Sequence, residues 1–449
     1  HRYTNRFWRK EAIMRIAAGY WLWIDNPFCL CYRYLPMNAY TYKKDRLFVE
    51  DTPIDLLADK YGTPLYVYSR NYIIDQFRSL TKAMREVDPL VCYSMKANSN
   101  AAIVRMLVDE GSGLDIVSGG ELYRALKAGA DPSKIVFAGV GKTEAEIAYA
   151  LENKILFFTV ESEPEIERIQ QIASGKKVTA RIALRVNPDV DAKTLKYTTT
   201  GKKENKFGIE IEAVKAIAKR ADAMSNVEVA GLHVHIGSQI LAPEPFVDAL
   251  ERIKPLCLDL KDTLPGFSYL DIGGGVGIKY EPDHEPLLYS SFAEKVIPIL
   301  KEIGLKTALE PGRSLVGNSG ALVCRVQYVK EGSTKKFIVV DAGMNDLIRP
   351  SLYDAYQEIL PAKAGNDTMT ADVVGPICES GDFFAKSRKL ATVKQGDFLS
   401  VMSSGAYGFT MASTYNSRPL PAEVIVDGSS HRLIRKRQSL EDMIKDEII

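Results

Sequence analysis

The chain has 449 residues, 46% of them apolar and 26% charged, with a formal net charge of +1. That balance excludes binding to nucleic acid or a membrane surface through bulk charge, and apolar runs such as ILFFTV are too short to span a bilayer. The length exceeds one ordinary domain, although a (β/α)8 barrel alone uses about 250 residues. Residues 1–36 hold all three tryptophans, Trp8, Trp21 and Trp23, with several basic residues and the cysteines Cys29 and Cys31. WLWI is shorter than the apolar segment of a signal peptide and Asp25 interrupts it. The stretch therefore reads as an N-terminal extension ahead of Met37, of unknown role.

Within 37–70, RLFVEDTPI and PLYVYSR read as strands that fit no later alternation, and they are expected to join a separate β-domain. From Pro89 onward, strand-like runs alternate with amphipathic stretches such as GELYRALKAGA and EPEIERIQQIAS, the pattern of a parallel sheet. The runs are 90–95, 114–117, 135–139, 156–160, 180–186, 229–236, 269–272 and 306–310. They make up the eight strands that close a barrel, expected over 71–314. Over 315–449 the segments ALVCRVQYVKEG, KKFIVVDAG, DVVGPIC and LATVKQGDFLSV are β-rich with few helical intervals, as in an antiparallel β-domain. The predicted fold is α/β: a (β/α)8 TIM-like barrel with a second, mainly antiparallel β-domain. The six cysteines show no metal-ligand spacing and read as reduced thiols of a cytoplasmic protein.

Barrel enzymes place their chemistry at the C-terminal ends of the strands. Lys96 follows the first predicted strand there, His235 with Gly237 and Ser238 the sixth, Gly273-Gly274-Gly275 the seventh, and Glu310-Pro311-Gly312-Arg313 the eighth. Three consecutive glycines form either a tight turn or an anion cradle of backbone N–H groups. Their position after strand seven, with PGR after strand eight, favours a phosphate. His233 and His235 share a strand face and could bind zinc, but the other histidines are peripheral, and an imidazole packed on a flat ring needs fewer partners. A lysine amine, a phosphate cradle and an inward carboxylate together suit pyridoxal phosphate, an aldehyde that a lysine holds as a Schiff base. Burial and a neighbouring cation are expected to lower the pKa of Lys96.

The motifs YSMKAN, GLDIVSGGEL, NKFG, GLHVHIGSQ, DIGGGVG, EPGRSLVGNSG, MNDLIRPSLYDAY, GPICESGD and GAYGFTMASTYNSRP occur in this order over about residues 42–440. In them the chain resembles the pyridoxal-phosphate decarboxylases of the alanine racemase and ornithine decarboxylase barrel fold, most closely the diaminopimelate decarboxylases. The resemblance implies conversion of meso-2,6-diaminopimelate to L-lysine and CO2, the last step of lysine biosynthesis. It implies that Lys96 binds the cofactor aldehyde, that His235 stacks on the ring, and that Glu310 pairs with the ring nitrogen. Ser238, Gly274, Gly275, Pro311, Gly312, Arg313 and Tyr407 would hold the phosphate end. Arg313, Arg349 and Tyr353, with Tyr407, would bind the distal carboxylate of the substrate, and Glu379 its distal ammonium. Cys378 would be the proton donor. Cys378 and Glu379 would reach the site of the neighbouring subunit, making the protein an obligate homodimer; no metal is implied.

An arginine at position 349 suits a substrate with a second carboxylate, because its planar fork matches that group, and a diamine-forming enzyme has no such carboxylate to grip. The rivals are a decarboxylase for carboxynorspermidine, ornithine or arginine, an amino-acid racemase, a metal hydrolase and an inactive regulator of the same fold. Departures from the family pattern fall at Leu195-Lys196, Gln357 and Leu420, where His-Pro, a histidine and an arginine are common. They touch loop closure and affinity rather than a chemical step.

Overall fold

The computed structural model describes residues 39–191 and 206–448. The extension 1–36 and the Leu195-Lys196 departure lie outside these residues. Strands β1 (Tyr40–Lys43), β2 (Arg46–Val49) and β3 (Thr52–Pro53) form a small antiparallel meander, and β4 (Leu65–Ser69) follows. Then come the staves of a barrel: β5 (Leu90–Ser94), β6 (Gly113–Ile116), β7 (Ile135–Phe137), β8 (Phe157–Val160) and β9 (Ala180–Asn187). A two-residue strand, β10 (Ile209–Glu210), pairs on the side of β9, and the barrel continues with β11 (Val227–His233), β12 (Tyr269–Asp271) and β13 (Lys306–Leu309). All neighbouring staves are parallel, β13 pairs with β5, and β8 pairs with β9, so the sheet closes. Each of the eight predicted runs supplies one stave.

The strands form where apolar residues run without alternation, because both faces are covered: all four residues of β8, Phe157 to Val160, are buried. The outer helices begin where a hydroxyl satisfies a free N–H. Ser118 Oγ accepts from Glu121 N at the start of the helix Gly119–Lys127, and Thr143 with Glu146 forms a capping box at the start of Glu144–Glu152. Such caps are each worth about 1 kcal/mol. In β11 the pairing shifts register between Val229 and Gly231, and a Cβ at Gly231 would collide with the carbonyl oxygen of Tyr269. The glycine lets β11 and β12 close up, and β11 ends at His233.

The second sheet is built from β14 (Gly320–Glu331), β15 (Lys336–Val340), β16 (Ile359–Pro361), β17 (Thr368–Val374), β18 (Phe383–Ala391), β19 (Phe398–Val401), β20 (Ala422–Asp427) and β21 (Ser430–Arg435). Strand β14 is its spine, antiparallel to β4, β15 and β19. Only β15–β17 and β20–β4 are parallel pairs in it, so the sheet is mainly antiparallel. The early segments split. Leu65–Ser69 enters this sheet between β14 and β20, whereas Arg46–Val49 stays in the meander and meets the β-domain through one antiparallel bridge, Arg46 with Lys363. The reason is local: a two-residue turn at Lys44-Asp45 pairs β2 with β1, and β3 takes its other edge. The meander is tied on through Leu47 N donating to Ala362 O at 2.8 Å and through a shared core of Leu47, Val49, Leu65, Val67, Val323 and Val424. Among the described residues no helix is long and apolar enough to cross a membrane.

Candidate active site

Lys96 lies in a single turn, Met95–Ala97, directly after β5. Its Nζ donates to Asp115 Oδ2 at 2.6 Å, and the same oxygen accepts from Ser94 Oγ at 2.6 Å. Asp115 is wholly buried while the lysine side chain is 37% exposed, so the amine is both held and reachable. The expected drop in its pKa is not found. Burial works against the charged amine, but Asp115 and Glu310 outweigh it, and the pKa of Lys96 is raised. The sequence reading lacked Asp115, which sits in the otherwise apolar run LDIV of the motif GLDIVSGGEL. A lone carboxylate on a buried stave was the signal available.

Glu310 follows β13, and its N–H donates to Gly273 O at 2.8 Å. Its Oε2 bonds His233 Nε2 at 3.1 Å, while the buried Oε1 has no partner among the described residues. Asp271 accepts from Gly273 N at 2.9 Å through Oδ1, and its Oδ2 also lacks a partner among those residues. His233, Asp271 and Glu310 bring one ligand atom each within 4.8 Å of one another. Burial and the nearby Glu310 push the Asp271 carboxyl far up, whereas His233 and Lys96 overcome burial and hold Glu310 below the carboxylate range. The two adjacent carboxyls are thus pushed in opposite directions, Asp271 toward the acid and Glu310 toward the anion, and each acts on the other.

His235 stands two residues beyond His233 on the same face. Its Nδ1 accepts from Gly274 N at 3.2 Å. Burial, with Arg185 and Lys96 nearby, pushes its pKa down to about 3, so the ring stays uncharged near neutrality. Gly274 has no room for a side chain, since a Cβ would collide with the Glu310 carbonyl oxygen. Gly275 has φ +109°, and its carbonyl oxygen accepts from Ile240 N at 2.9 Å, which secures the Ser238 loop.

Pro311 O accepts from Ser94 N at 3.0 Å, joining the PGR loop to the Lys96 strand, and Gly312 packs against Ser94 and Ala97. Arg313 donates to Ser238 Oγ from Nη2 at 3.0 Å, and its guanidinium carbon stands 4.8 Å from the Tyr407 ring centre. Tyr407 has φ +55°, a left-handed backbone that is costly for a tyrosine, and its N–H donates to Ala97 O at 2.8 Å. Arg349 opens the short helix Arg349–Tyr353. Arg313 Nη1 and Arg349 Nη1 both donate to the hydroxyl oxygen of Tyr280, each at 2.6 Å, and Tyr353 lies within electrostatic reach of Arg313. Both arginines are buried, and among the described residues neither pairs with a carboxylate. The sequence reading did not single out Tyr280, although it ends the stretch GGGVGIKY.

The barrel mouth thus gathers Lys96, His235, Ser238, Gly274, Gly275, Glu310, Pro311, Gly312, Arg313, Arg349, Tyr353 and Tyr407. Cys378 and Glu379 stand apart from these contacts. Cys378 is exposed and its N–H donates to Asn416 Oδ1 at 2.9 Å, while Glu379 Oε2 accepts from Tyr415 Oη at 2.9 Å. Asp382 shapes their loop by accepting from Met344 N at 2.7 Å and Ile377 N at 2.6 Å. Gln357 is buried with its amide unpartnered among the described residues, and Leu420 N donates to Gln438 Oε1 at 3.1 Å.

The residues fit an aromatic aldehyde with a basic ring nitrogen. An accessible amine stands at one end, a neutral imidazole is available for the ring face, and the buried Glu310 carboxyl, held toward its anionic form, suits a protonated nitrogen. Residues 70–317 match the family model described as "Pyridoxal-dependent decarboxylase, pyridoxal binding domain". The chain is 47% identical over 405 residues to a diaminopimelate decarboxylase of Aquifex aeolicus, covering 90% of this chain and 96% of that protein. It is 49% identical over 407 residues to one of Neisseria meningitidis serogroup A, covering 90% and 99%. The solved diaminopimelate decarboxylase of Helicobacter pylori complexed with L-lysine superposes with a TM-score of 0.84 at 41% identity, over 87% of this chain and 98% of that one.

Proposed function

Since the chain belongs to the diaminopimelate decarboxylases, within the pyridoxal-dependent decarboxylases, we propose that it removes CO2 from meso-2,6-diaminopimelate and releases L-lysine. One observation carries the substrate reading: two buried guanidiniums, Arg313 and Arg349, converge at the barrel mouth with no carboxylate partner among the described residues. Buried cations without a counter-anion are costly, and the distal carboxylate of the substrate supplies the missing charge.

Pyridoxal 5'-phosphate would be held by Lys96 at its aldehyde carbon, by Glu310 at its ring nitrogen and by His235 on its face. Ser238, Gly274, Gly275, Pro311, Gly312, Arg313 and Tyr407 would hold its phosphate end. When bound, this group supplies the electron sink for the bonding pair left behind by departing CO2. The chain's own residues do the rest. Glu310 stays ionised and keeps a proton at the ring nitrogen, while the uncharged His235 packs on the ring without repelling that proton. Arg313, Arg349 and Tyr353 fix the far carboxylate, which turns the other amino-acid head toward Lys96. In a homodimer, Glu379 from the partner copy takes the distal ammonium and the Cys378 thiol from the same loop returns a proton to the carbon. That Cys378 and Glu379 are exposed and make their contacts with Tyr415 and Asn416 supports donation across an interface.

The test is CO2 release by the purified protein with added pyridoxal phosphate. Meso-diaminopimelate is expected to exceed lysine, ornithine, arginine and carboxynorspermidine by about 10³-fold in kcat/KM, as a site whose polar groups are left unpaired by the wrong ligand gives. Comparable release from ornithine would sink the substrate reading, and racemisation without CO2 the reaction class. The shared site has its own test. Lys96→Ala and Cys378→Ala, each inactive, are expected to regain activity on mixing, with about one site in four intact by random pairing in a two-fold dimer. Mixtures that stay dead under conditions of subunit exchange would place Cys378 outside the neighbour's site.

A further inference from the structure

The loop that follows the three glycines returns to the barrel mouth at Tyr280, a residue to which the proposed reaction assigns no part. Its hydroxyl oxygen takes two hydrogen bonds of 2.6 Å, one from Nη1 of Arg313 and one from Nη1 of Arg349. The guanidinium carbons stand 5.7 and 4.7 Å from its ring centre, so each cation also faces the electron-rich ring. Arg313 and Arg349 come from separate elements, the helix Arg313–Val316 after β13 and the helix Arg349–Tyr353 of the β-domain. Like charges repel, and nothing in the covalent structure keeps these two heads together. A shared acceptor does. Burial opposes ionisation of Tyr280, but Arg313 and Arg349 prevail and its pKa is lowered.

We propose that Tyr280 is the positioning residue of the carboxylate clamp: its hydroxyl oxygen holds Arg313 and Arg349 converged before the substrate arrives, and so sets the affinity for ligands carrying a distal carboxylate. The inference rests on the reading of those arginines as that clamp. Ser238 anchors Arg313 from the other side, through Nη2 and Nε at 3.0 and 3.4 Å, so Tyr280 is the element that brings in Arg349. Without the hydroxyl, the binding free energy of the carboxylate must first bring the two cations together, a cost that falls on binding rather than on bond cleavage.

Tyr280→Phe keeps the ring and removes the shared acceptor. In the holoenzyme it is expected to raise KM for meso-diaminopimelate and the inhibition constant of L-lysine together, by about tenfold, the scale of a hydrogen bond to charged groups. The fall in kcat is expected to be much smaller than the rise in KM. A merely structural role would instead lower kcat or the thermal midpoint and leave L-lysine binding alone, and that result would overturn the inference. Arg349→Gln separates the two levels. If Arg349→Gln weakens L-lysine and Tyr280→Phe does not, Tyr280 is not the positioning residue but the clamp stands. If neither variant weakens L-lysine, the clamp itself is lost.

Discussion

Replacing Lys96 by alanine is expected to abolish decarboxylation and, in the same protein, the covalent retention of pyridoxal after borohydride reduction. The amine is the nucleophile at the mouth whose Nζ stands 2.6 Å from a wholly buried carboxylate, that of Asp115. Its raised pKa means that the unloaded chain carries it as an ammonium, so it must shed a proton before its nitrogen can bond to carbon. Asp115 Oδ2 is the acceptor already in place. Removing the amine also leaves Asp115 buried without its cation. That is expected to cost stability, roughly 1–3 kcal/mol once the partial exposure of the lysine is discounted. Lys96→Ala should therefore melt below the wild type, and adding Asp115→Asn should restore the midpoint without restoring turnover. Turnover by Lys96→Ala near the wild-type rate would sink the mechanism, and an unmoved melting midpoint would refute the account of the pair.

Glu310→Gln is expected to lower kcat on the order of 10²-fold or more, the scale seen when one preorganised electrostatic partner is lost from a dry site. The amide can still accept from His233 through its carbonyl oxygen, but it carries no charge and cannot keep a proton on a ring nitrogen. Stability should fall as well. The fold holds the Glu310 carboxyl below its ordinary range through His233 and Lys96, so its charge is stabilising at neutral pH and the amide gives that up. A loss of kcat larger than the lowered melting midpoint accounts for separates the functional charge from the structural one. A variant that keeps more than about half of its kcat would remove Glu310 from the chemistry.

The barrel was legible because its staves are short apolar runs buried on both faces, a pattern that tolerates few other readings once eight appear in sequence. The site was legible to the extent that its residues sit at the ends of those runs, as Lys96, His235, Gly274 and Glu310 do. Electrostatics was not. The expected fall in the lysine pKa followed from burial and a neighbouring cation, whereas Asp115 and Glu310 reach it from two other staves, and no local pattern reports a counter-ion on another strand. Tyr280 escaped for a similar reason: it lies beyond the glycine run in a loop without periodicity, and only the fold carries it to Arg349. The early meander shows the limit for strands. RLFV has the right residues for a sheet, but its partners were decided by the Lys44-Asp45 turn.

Strand β4 pairs along one edge with β14 and along the other with β20, and Tyr68 of β4 bonds Glu423 of β20 across 355 positions of chain. The barrel is thus spliced into the middle of the β-domain, and this ordering governs how a ribosome must deliver the molecule. The staves meet neighbours made shortly before them and can assemble while the chain is still growing. Leu65–Ser69 emerges first and waits for almost the last strand to be made, with an open edge in the interval. A chain broken off before Ala422 would hold a complete barrel and a sheet missing one side of β4. The expected vulnerability of such a fragment is association through that edge rather than collapse of the catalytic mouth.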